Sequence, residues 1–495
     1  MLFCSWNFFQ FFLIVFALYW FIPWRRLHWE MPLPRQRKFT LTGDEARVWL
    51  LLIASFYFYA SWSRKLALLI VVSTLLDYCI GLGLEAWQKP SLRRLLLTLS
   101  ITANLGLLCF FKYSNFFLAS LDEVLIAAGS PIWFNTLKII LPIGISFYTF
   151  EAINYTVDVY RGQVRAERNP THLLFFVLFF PHLVAGPIVR AKDFLPQTRR
   201  SKRWSWARFQ AGGEYFLLGM LKKWVVADQL ALYADPVFAD PSSYGSLANW
   251  AAVLAFTLQI YCDFSGYSDM ALGTAHMLGY KLAVNFNMPY LATSISDYWR
   301  RNHISLSTWL RDYLFIPLGG SRGSFWHTTR NNLITMTLGG LWHGANWNFA
   351  LWGLVHGVTL SINRAFRNYC QERPRLDSFL QSWIGTALRR ALTFLCLYQG
   401  LVLFRSPTFA LTQAIYSRLW IPVNGKDIDH PYGYNLLLLI VAGFVLFHVA
   451  ACRQWWERLS LRLPTPVLGF AYMLALILCM VMAPIFVKPF LYMQF

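Results

Sequence analysis

The sequence predicts an all-α polytopic membrane protein, on three observations. Hydrophobic residues fill 57% of the 495 positions and charged ones 14%, where soluble domains carry about 25% charged. Apolar runs of about 17–25 residues, long enough to cross a hydrocarbon core, recur along the whole chain. Lys and Arg gather in the short connections between those runs, as topology selection leaves them.

The candidate spans, in order, are 6–23, 47–63, 66–86, 96–111, 136–158, 171–189, 210–234, 248–272, 333–362, 386–404, 434–451 and 465–487, which makes about eleven or twelve transmembrane helices. The first is read as a retained span, because no basic region opens the chain and no small-residue cleavage site precedes Arg25-Arg26. Residues 120–129, with Asp122 and Glu123, are too short and polar to cross and predict an interfacial helix. Pro142 and Gly144 are expected to break the span 136–158 and turn Glu151 and Asn154 into the bundle. No internal repeat or soluble domain is visible. The whole of 1–495 reads as one integral membrane domain.

The formal charge of +20 lies in short loops, so it points to membrane topology and anionic head groups rather than nucleic acid. The eight cysteines are scattered without CxxC or metal spacing and read as inert buried thiols. Loop 24–46 carries Arg25, Arg26, Arg35, Arg37 and Lys38, which places the N-terminus outside. By the same rule the basic connections 190–209 and 281–332 are cytoplasmic, and 235–247, with no Lys or Arg, is outside. The run 333–362 strains this scheme. At about 1.5 Å per residue it is too long for one span and too short for two. A single crossing would also put the basic loop 364–385 outside. A break at Gly339-Gly340 or Gly344, with part of the run re-entrant, is expected. The small-xxx-small pairs Gly340/Gly344 and Gly353/Gly357 would let helices approach closely.

The chemistry concentrates in 288–357. Leu333 to Asn363 contains no Asp, Glu, Lys or Arg, yet holds His343, Asn346 and His356. An ionisable ring in such a run is a functional-site candidate. His343 is flanked by Trp342, Asn346 and Trp347. If the backbone is helical there, Asn346 shares its face and fixes the ring's tautomer. The neutral imidazole is the form a general base needs. His303 follows Arg300 and Arg301 and is either an interfacial histidine or a second polar group at the same centre. His172, His182, His276, His356 and His448 read as structural.

Arg300, Arg301, Arg311 and Arg322 either hold a donor's phosphates or are ordinary cytoplasmic charge. Asp263 and Asp269 are intramembrane carboxylates. They pair with arginines, cap a break at Gly266, or couple ions in a transporter or polysaccharide export channel, the competing function class. A non-catalytic scaffold is a third reading. HExxH, Walker A, GxGxxG and GxSxG are all missing from the sequence, so no metal site is expected.

Six stretches carry a family resemblance: LPIGISFYTFEAINYTVDVYRG (141–162), FFPHLVAGPIVRAKDFLPQ (179–197), GMLKKWVVAD (219–228), YCDFSGYSDMALG (261–273), NFNMPYLATSISDYWRRNHISLSTWLRDYLFIPLGGSRG (285–323) and LGGLWHGANWNFALWGLVHG (338–357). Together they resemble the membrane-bound O-acyltransferase family, in its bacterial branch of alginate O-acetylase and teichoic-acid D-alanylation membrane subunits. The resemblance implies a ring of transmembrane helices around a central funnel and tunnel. Residues 141–357 would be the catalytic core, and 1–135 and 365–495 peripheral helices. It implies His343 as the catalytic histidine and His303 as the second active-site histidine. Asn346, Trp342, Trp347, Arg300, Arg301, Arg311 and Asp312 are the candidate substrate-binding residues around them.

The implied reaction moves an acyl group, acetyl in the first instance, from acetyl-CoA or an acyl carrier in the cytoplasm, with no tightly bound cofactor. The acceptor would be a polysaccharide hydroxyl across a bacterial cytoplasmic membrane, reached directly or through an SGNH-like partner acetyltransferase or modification complex. The sequence departs from the family pattern at one position: an aromatic usually precedes the HISLS histidine, and here Asn302 stands there.

Overall fold

The computed structural model describes residues 2–24, 28–33, 37–129, 134–453, 455–460, 462–484 and 488–491. The predicted class holds: the described chain is helical apart from one antiparallel hairpin, β1 (His28–Leu33) with β2 (Arg37–Thr42), in the register His28 opposite Thr42. Arg25, Arg26 and Arg35 of the basic loop 24–46 lie outside the described residues. Six of the described helices are long and apolar enough to cross a membrane. The chain divides into two compact units, residues 1–216 with 267–283, and residues 217–266 with 284–495.

The first unit contains α1 (Trp6–Phe21), α2 (Gly43–Ala60), α3 (Arg64–Ala86), α4 (Pro90–Ala127), α5 (Ile145–Tyr160) and α6 (Pro170–Leu178). Helix α4 runs 38 residues through a π turn at Cys109–Tyr113, so 120–127 continues it instead of forming a separate helix. The expected break at Gly144 is present. Its φ is 76°, and an added Cβ would lie 2.5 Å from the Leu183 carbonyl oxygen, so both conformation and space require glycine. Helix α5 starts one residue later and buries Glu151 and Asn154.

Those two side chains explain why 171–189 is not the continuous span the hydropathy predicts. Helix α6 stops at Leu178, and Pro181, Gly186 and Pro187 keep the following chain irregular. Val189 N–H donates to Glu151 Oε1 (3.0 Å), and Asn154 donates to the Val189 carbonyl (2.9 Å) and accepts from Ala191 N–H (3.3 Å). His182 Nε2 stands 3.0 Å from the Phe176 carbonyl and 3.4 Å from Glu151 Oε2. Non-helical backbone inside a membrane protein needs such partners. A second buried network holds α3, α4 and α5, where Asp77 accepts from Ser100 (2.6 Å) and Asn104 (2.9 Å). Phe11, Phe58 and Phe180 pack edge-on and tilted between these helices.

Helix α7 (Trp206–Met220) continues through a π turn at Leu221–Ala227 into α8 (Asp228–Ala239), and α9 (Ser246–Met277) follows. The second unit holds 217–266 of this stretch together with α10 (Ile295–Arg301), α11 (Ile304–Leu310), α12 (Phe325–His343), α13 (Trp347–Gln371), α14 (Trp383–Arg405), α15 (Gly433–Cys452) and α16 (Thr465–Met482). Helix α9 is unbroken at Gly266. Asp263 therefore caps nothing, and its cationic partner is a lysine rather than an arginine: Lys223 Nζ lies 2.7 Å from Asp263 and 3.0 Å from Asp228.

The run 333–362 resolves into a hairpin. It breaks at Gly344, not at Gly339-Gly340, which lie within α12. The polar residues before 333 and after 362 join the two helices, lengthening them to 19 and 25 residues, about 28 and 37 Å at 1.5 Å per residue. The glycine pairs interlock. A Cβ on Gly340 would sit 2.1 Å from the Phe349 carbonyl oxygen, and one on Gly353 2.2 Å from that of Met336. Gly357 faces Leu333, so the helices run antiparallel. Both basic connections, 281–332 and 364–385, thus leave from one end of the hairpin, which removes the conflict in the charge pattern. Gly340→Ala is expected to cost about 1–3 kcal/mol through overpacking. A lowered thermal midpoint of the detergent-solubilised protein checks it.

Candidate active site

The second unit brings His303 and His343 together. His343 ends α12, and Gly344 (φ −163°, ψ 153°) turns the chain sharply away. A Cβ on Gly344 would overlap the Phe349 ring at 2.1 Å, so glycine is needed for the turn to close. The His343 ring is buried, with Trp342, Trp352 and Phe404 edge-on at centroid distances of 5.1, 5.2 and 5.2 Å. Such T-shaped packing fixes a ring's orientation.

His303 stands at the N-terminus of α11 with φ 46° and ψ 53°, a left-handed conformation that non-glycine residues seldom adopt. The surrounding backbone imposes it. Asn287 N–H donates to the Arg301 carbonyl (2.8 Å) and Ile304 N–H to that of Asn285 (2.9 Å). Asn285 Oδ1 also accepts from Ser305 N–H (3.1 Å) and Oγ (2.9 Å). His303 Nδ1 lies 3.3 Å from the same oxygen, so Nδ1 carries the hydrogen and Nε2 is the basic side of the ring. Strain of this kind persists where neighbours over-determine it, and it clusters at functional sites. Burial pushes the His303 imidazole down to about 3, so the ring is neutral near pH 7 and acts as donor and acceptor, not as a cation.

The two rings are 6.4 Å apart and line one cavity of about 40 Å³. Its other walls are aromatic and aliphatic, among them Phe264, Phe286, Trp299, Trp352, Leu401 and Phe404, with Asn302 as a polar element. Trp299 Nε1–H donates to His356 Nδ1 (3.3 Å), so His356 supports a wall of the cavity. A neutral imidazole beside a small, mainly aromatic space is suited to taking a proton from a hydroxyl as a bond forms to carbon.

The other sequence candidates are placed differently. Asn346 is not on the face of His343, because the backbone between them is extended. It caps α13, accepting from Asn348 N–H (2.8 Å) and donating to the Pro407 carbonyl (2.7 Å). Trp342 is buried edge-on against both histidines, 5.8 Å from His303. Trp347 is 48% exposed and does not line the cavity. Nor do the arginines: Arg300 is exposed, Arg301 pairs with Asp297 (2.9 Å) and Arg311 with Asp312 (2.6 Å). Residues 398–404 of α14 were not singled out, because a uniformly apolar run does not reveal which face meets a cavity. The one available signal for Trp352 was its position four residues before His356.

Residues 95–406 match the family model of MBOAT, the membrane-bound O-acyltransferase family. The chain belongs to the membrane-bound O-acyltransferase family. The match is wider than the motif-bearing stretch 141–357. Among its relatives is the probable alginate O-acetylase AlgI of Pseudomonas aeruginosa, 43% identical over 77% of this chain and 71% of that protein. The peptidoglycan O-acetyltransferase of Helicobacter pylori is 35% identical over 78% of this chain and 75% of its own length. The teichoic acid D-alanyltransferase of Bacillus subtilis is 28% identical over 54% and 69%. This membrane-bound O-acyltransferase is accordingly an enzyme and a multi-pass membrane protein.

Proposed function

We propose that the enzyme moves an acetyl group from a cytoplasmic thioester, acetyl-CoA or an acyl carrier, to a hydroxyl on the far side of a bacterial cytoplasmic membrane, with His343 as general base. The observation that carries this reading is the pair of imidazoles 6.4 Å apart on one small cavity. In the step proposed, the hydroxyl oxygen attacks the thioester carbonyl carbon while its proton passes to His343. The carbon–sulfur bond then breaks, and the thiolate leaves with the proton from the imidazolium. His303, neutral, forms the opposite wall of the cavity and packs beside the attacking hydroxyl.

Cavity size favours acetyl. A water needs roughly 10–15 Å³ of such space, so the cavity's 40 Å³ suits about three atoms of that size, the carbons and oxygen of an acetyl group. The relatives named for alginate and peptidoglycan O-acetylation support a polysaccharide acceptor, reached directly or through an SGNH-like partner transferase. The common end of the two basic connections supports a cytoplasmic donor side, and the basic loop 24–46 supports an N-terminus outside. Trp342, walled in beside both rings, keeps a positioning part. Asn346 and Trp347 set the hairpin turn, and Arg300, Arg301, Arg311 and Asp312 keep the charge pattern that orients the chain.

Reconstituted enzyme given acetyl-CoA or butanoyl-CoA at equal concentration tests the reading. Acetyl ester formation is expected to exceed butanoyl ester formation at least tenfold. Equal use of the two donors would overturn the assignment to a short acyl group.

A further inference from the structure

We propose that Asn302 binds the acyl carbonyl, donating a hydrogen bond from Nδ2 to the thioester oxygen as it becomes an oxyanion. This rests on the reading of His343 as base. Asn302 is the C-cap of α10, with extended backbone (φ −107°, ψ 129°). Its N–H donates to the Tyr298 carbonyl (2.8 Å) and its carbonyl accepts from Ser307 Oγ (3.2 Å). Its main chain is therefore held at both ends, directly before the strained His303. The residue lines the cavity and is half-buried. Among the described residues its carboxamide makes no hydrogen bond; on the same wall Trp299 Nε1–H donates to His356 and Tyr290 O–H to the Thr257 carbonyl, while Trp352 Nε1–H is a second donor without a partner.

A carboxamide on a mainly aromatic wall, and satisfied by nothing in the protein, is the kind of group that fixes a ligand's polar atom in a pocket. The acyl group supplies one polar atom, its oxygen, and an amide N–H is a donor that carries no charge of its own into the cavity. As the hydroxyl attacks, the π electrons of the carbonyl move onto that oxygen. The hydrogen bond becomes charge-assisted at that moment, so it favours the transition state over the bound thioester. The hydroxyl proton still goes to His343, and the electron pair returns from the oxyanion to carbon as the bond to sulfur breaks.

The test uses full-length enzyme in cells that export its natural polysaccharide, with ester content normalised to enzyme in the membrane. Asn302→Asp keeps the shape and removes the donor, and Asn302→Leu keeps the volume and removes all polarity. Both are expected to lower ester formation roughly 10- to 100-fold, the range for a hydrogen bond to a charged group. His343→Ala is run beside them. If both Asn302 variants acylate within twofold of the parent while His343→Ala is inactive, the carbonyl-binding assignment is wrong and the base assignment stands. If His343→Ala is as active as the parent, the underlying reading fails instead.

Discussion

His343→Ala is expected to lower acyl transfer by about 10²–10⁴-fold, the contribution typical of a positioned general base, while the protein still inserts in the membrane. The two effects separate because of where the residue sits. It is the last residue of α12, and the hairpin is fastened by the interlocking of Gly340 and Gly353, not by the imidazole. The ring does pack against Trp342, Trp352 and Phe404, so alanine opens a hole beside the cavity and some stability is lost. His343→Phe fills that hole without a basic nitrogen and should be as inactive as alanine with a thermal midpoint closer to the parent. Ester content of the exported product, at matched amounts of enzyme, is the measurement. Parental rates in both variants would end the assignment of His343 as the base.

Sequence pattern revealed the class, six of the twelve candidate spans and, as one of two alternatives, the break at Gly344. The glycines that interlock α12 and α13 were legible as spaced pairs, because the steric need for small residues repeats every fourth position. Hydropathy failed at 171–189, where an apolar window hides Pro181, Gly186 and Pro187, and where the side chains that satisfy the irregular backbone come from α5, some 30 residues earlier. It also misjudged 333–362. The run was counted only over its uncharged residues, whereas the helices extend into polar sequence at both ends.

The pairing of His303 with His343 is not derivable from spacing. The left-handed turn at His303 and the Asn287–Arg301 backbone pairing create it; the sequence offered it only as one of two readings of His303, and the family resemblance chose between them. Asn302 was visible as a departure from the family pattern, but its place on the cavity wall depends on the same turn. Asn346 was misread because the tautomer argument assumed a helix that Gly344 ends.

The largest effect expected on stability belongs to Lys223, which lies inside the candidate span 210–234 and was not singled out from the sequence. Its ammonium is buried between Asp263 (2.7 Å) and Asp228 (3.0 Å). Asp263 Oδ2 also accepts the Leu491 N–H (2.8 Å), and the Phe490 ring lies 4.8 Å from the Lys223 nitrogen. The cluster thus clasps the C-terminal segment to α9. Removing one partner from a buried ion pair strands the other's charge and costs about 3–5 kcal/mol; here Lys223→Met would strand two carboxylates. The variant should give little folded protein on size-exclusion in detergent and a clearly lower thermal midpoint.

Adding Asp263→Asn and Asp228→Asn to that variant should restore part of the loss, since a buried ionic cluster replaced as a whole by neutral groups is often tolerated. A transporter that used Asp263 to couple ions would behave differently: Lys223→Met would fold and change ion dependence. A stable Lys223→Met protein, or a triple variant no better than the single one, would show that the three charges do not act as a clasp.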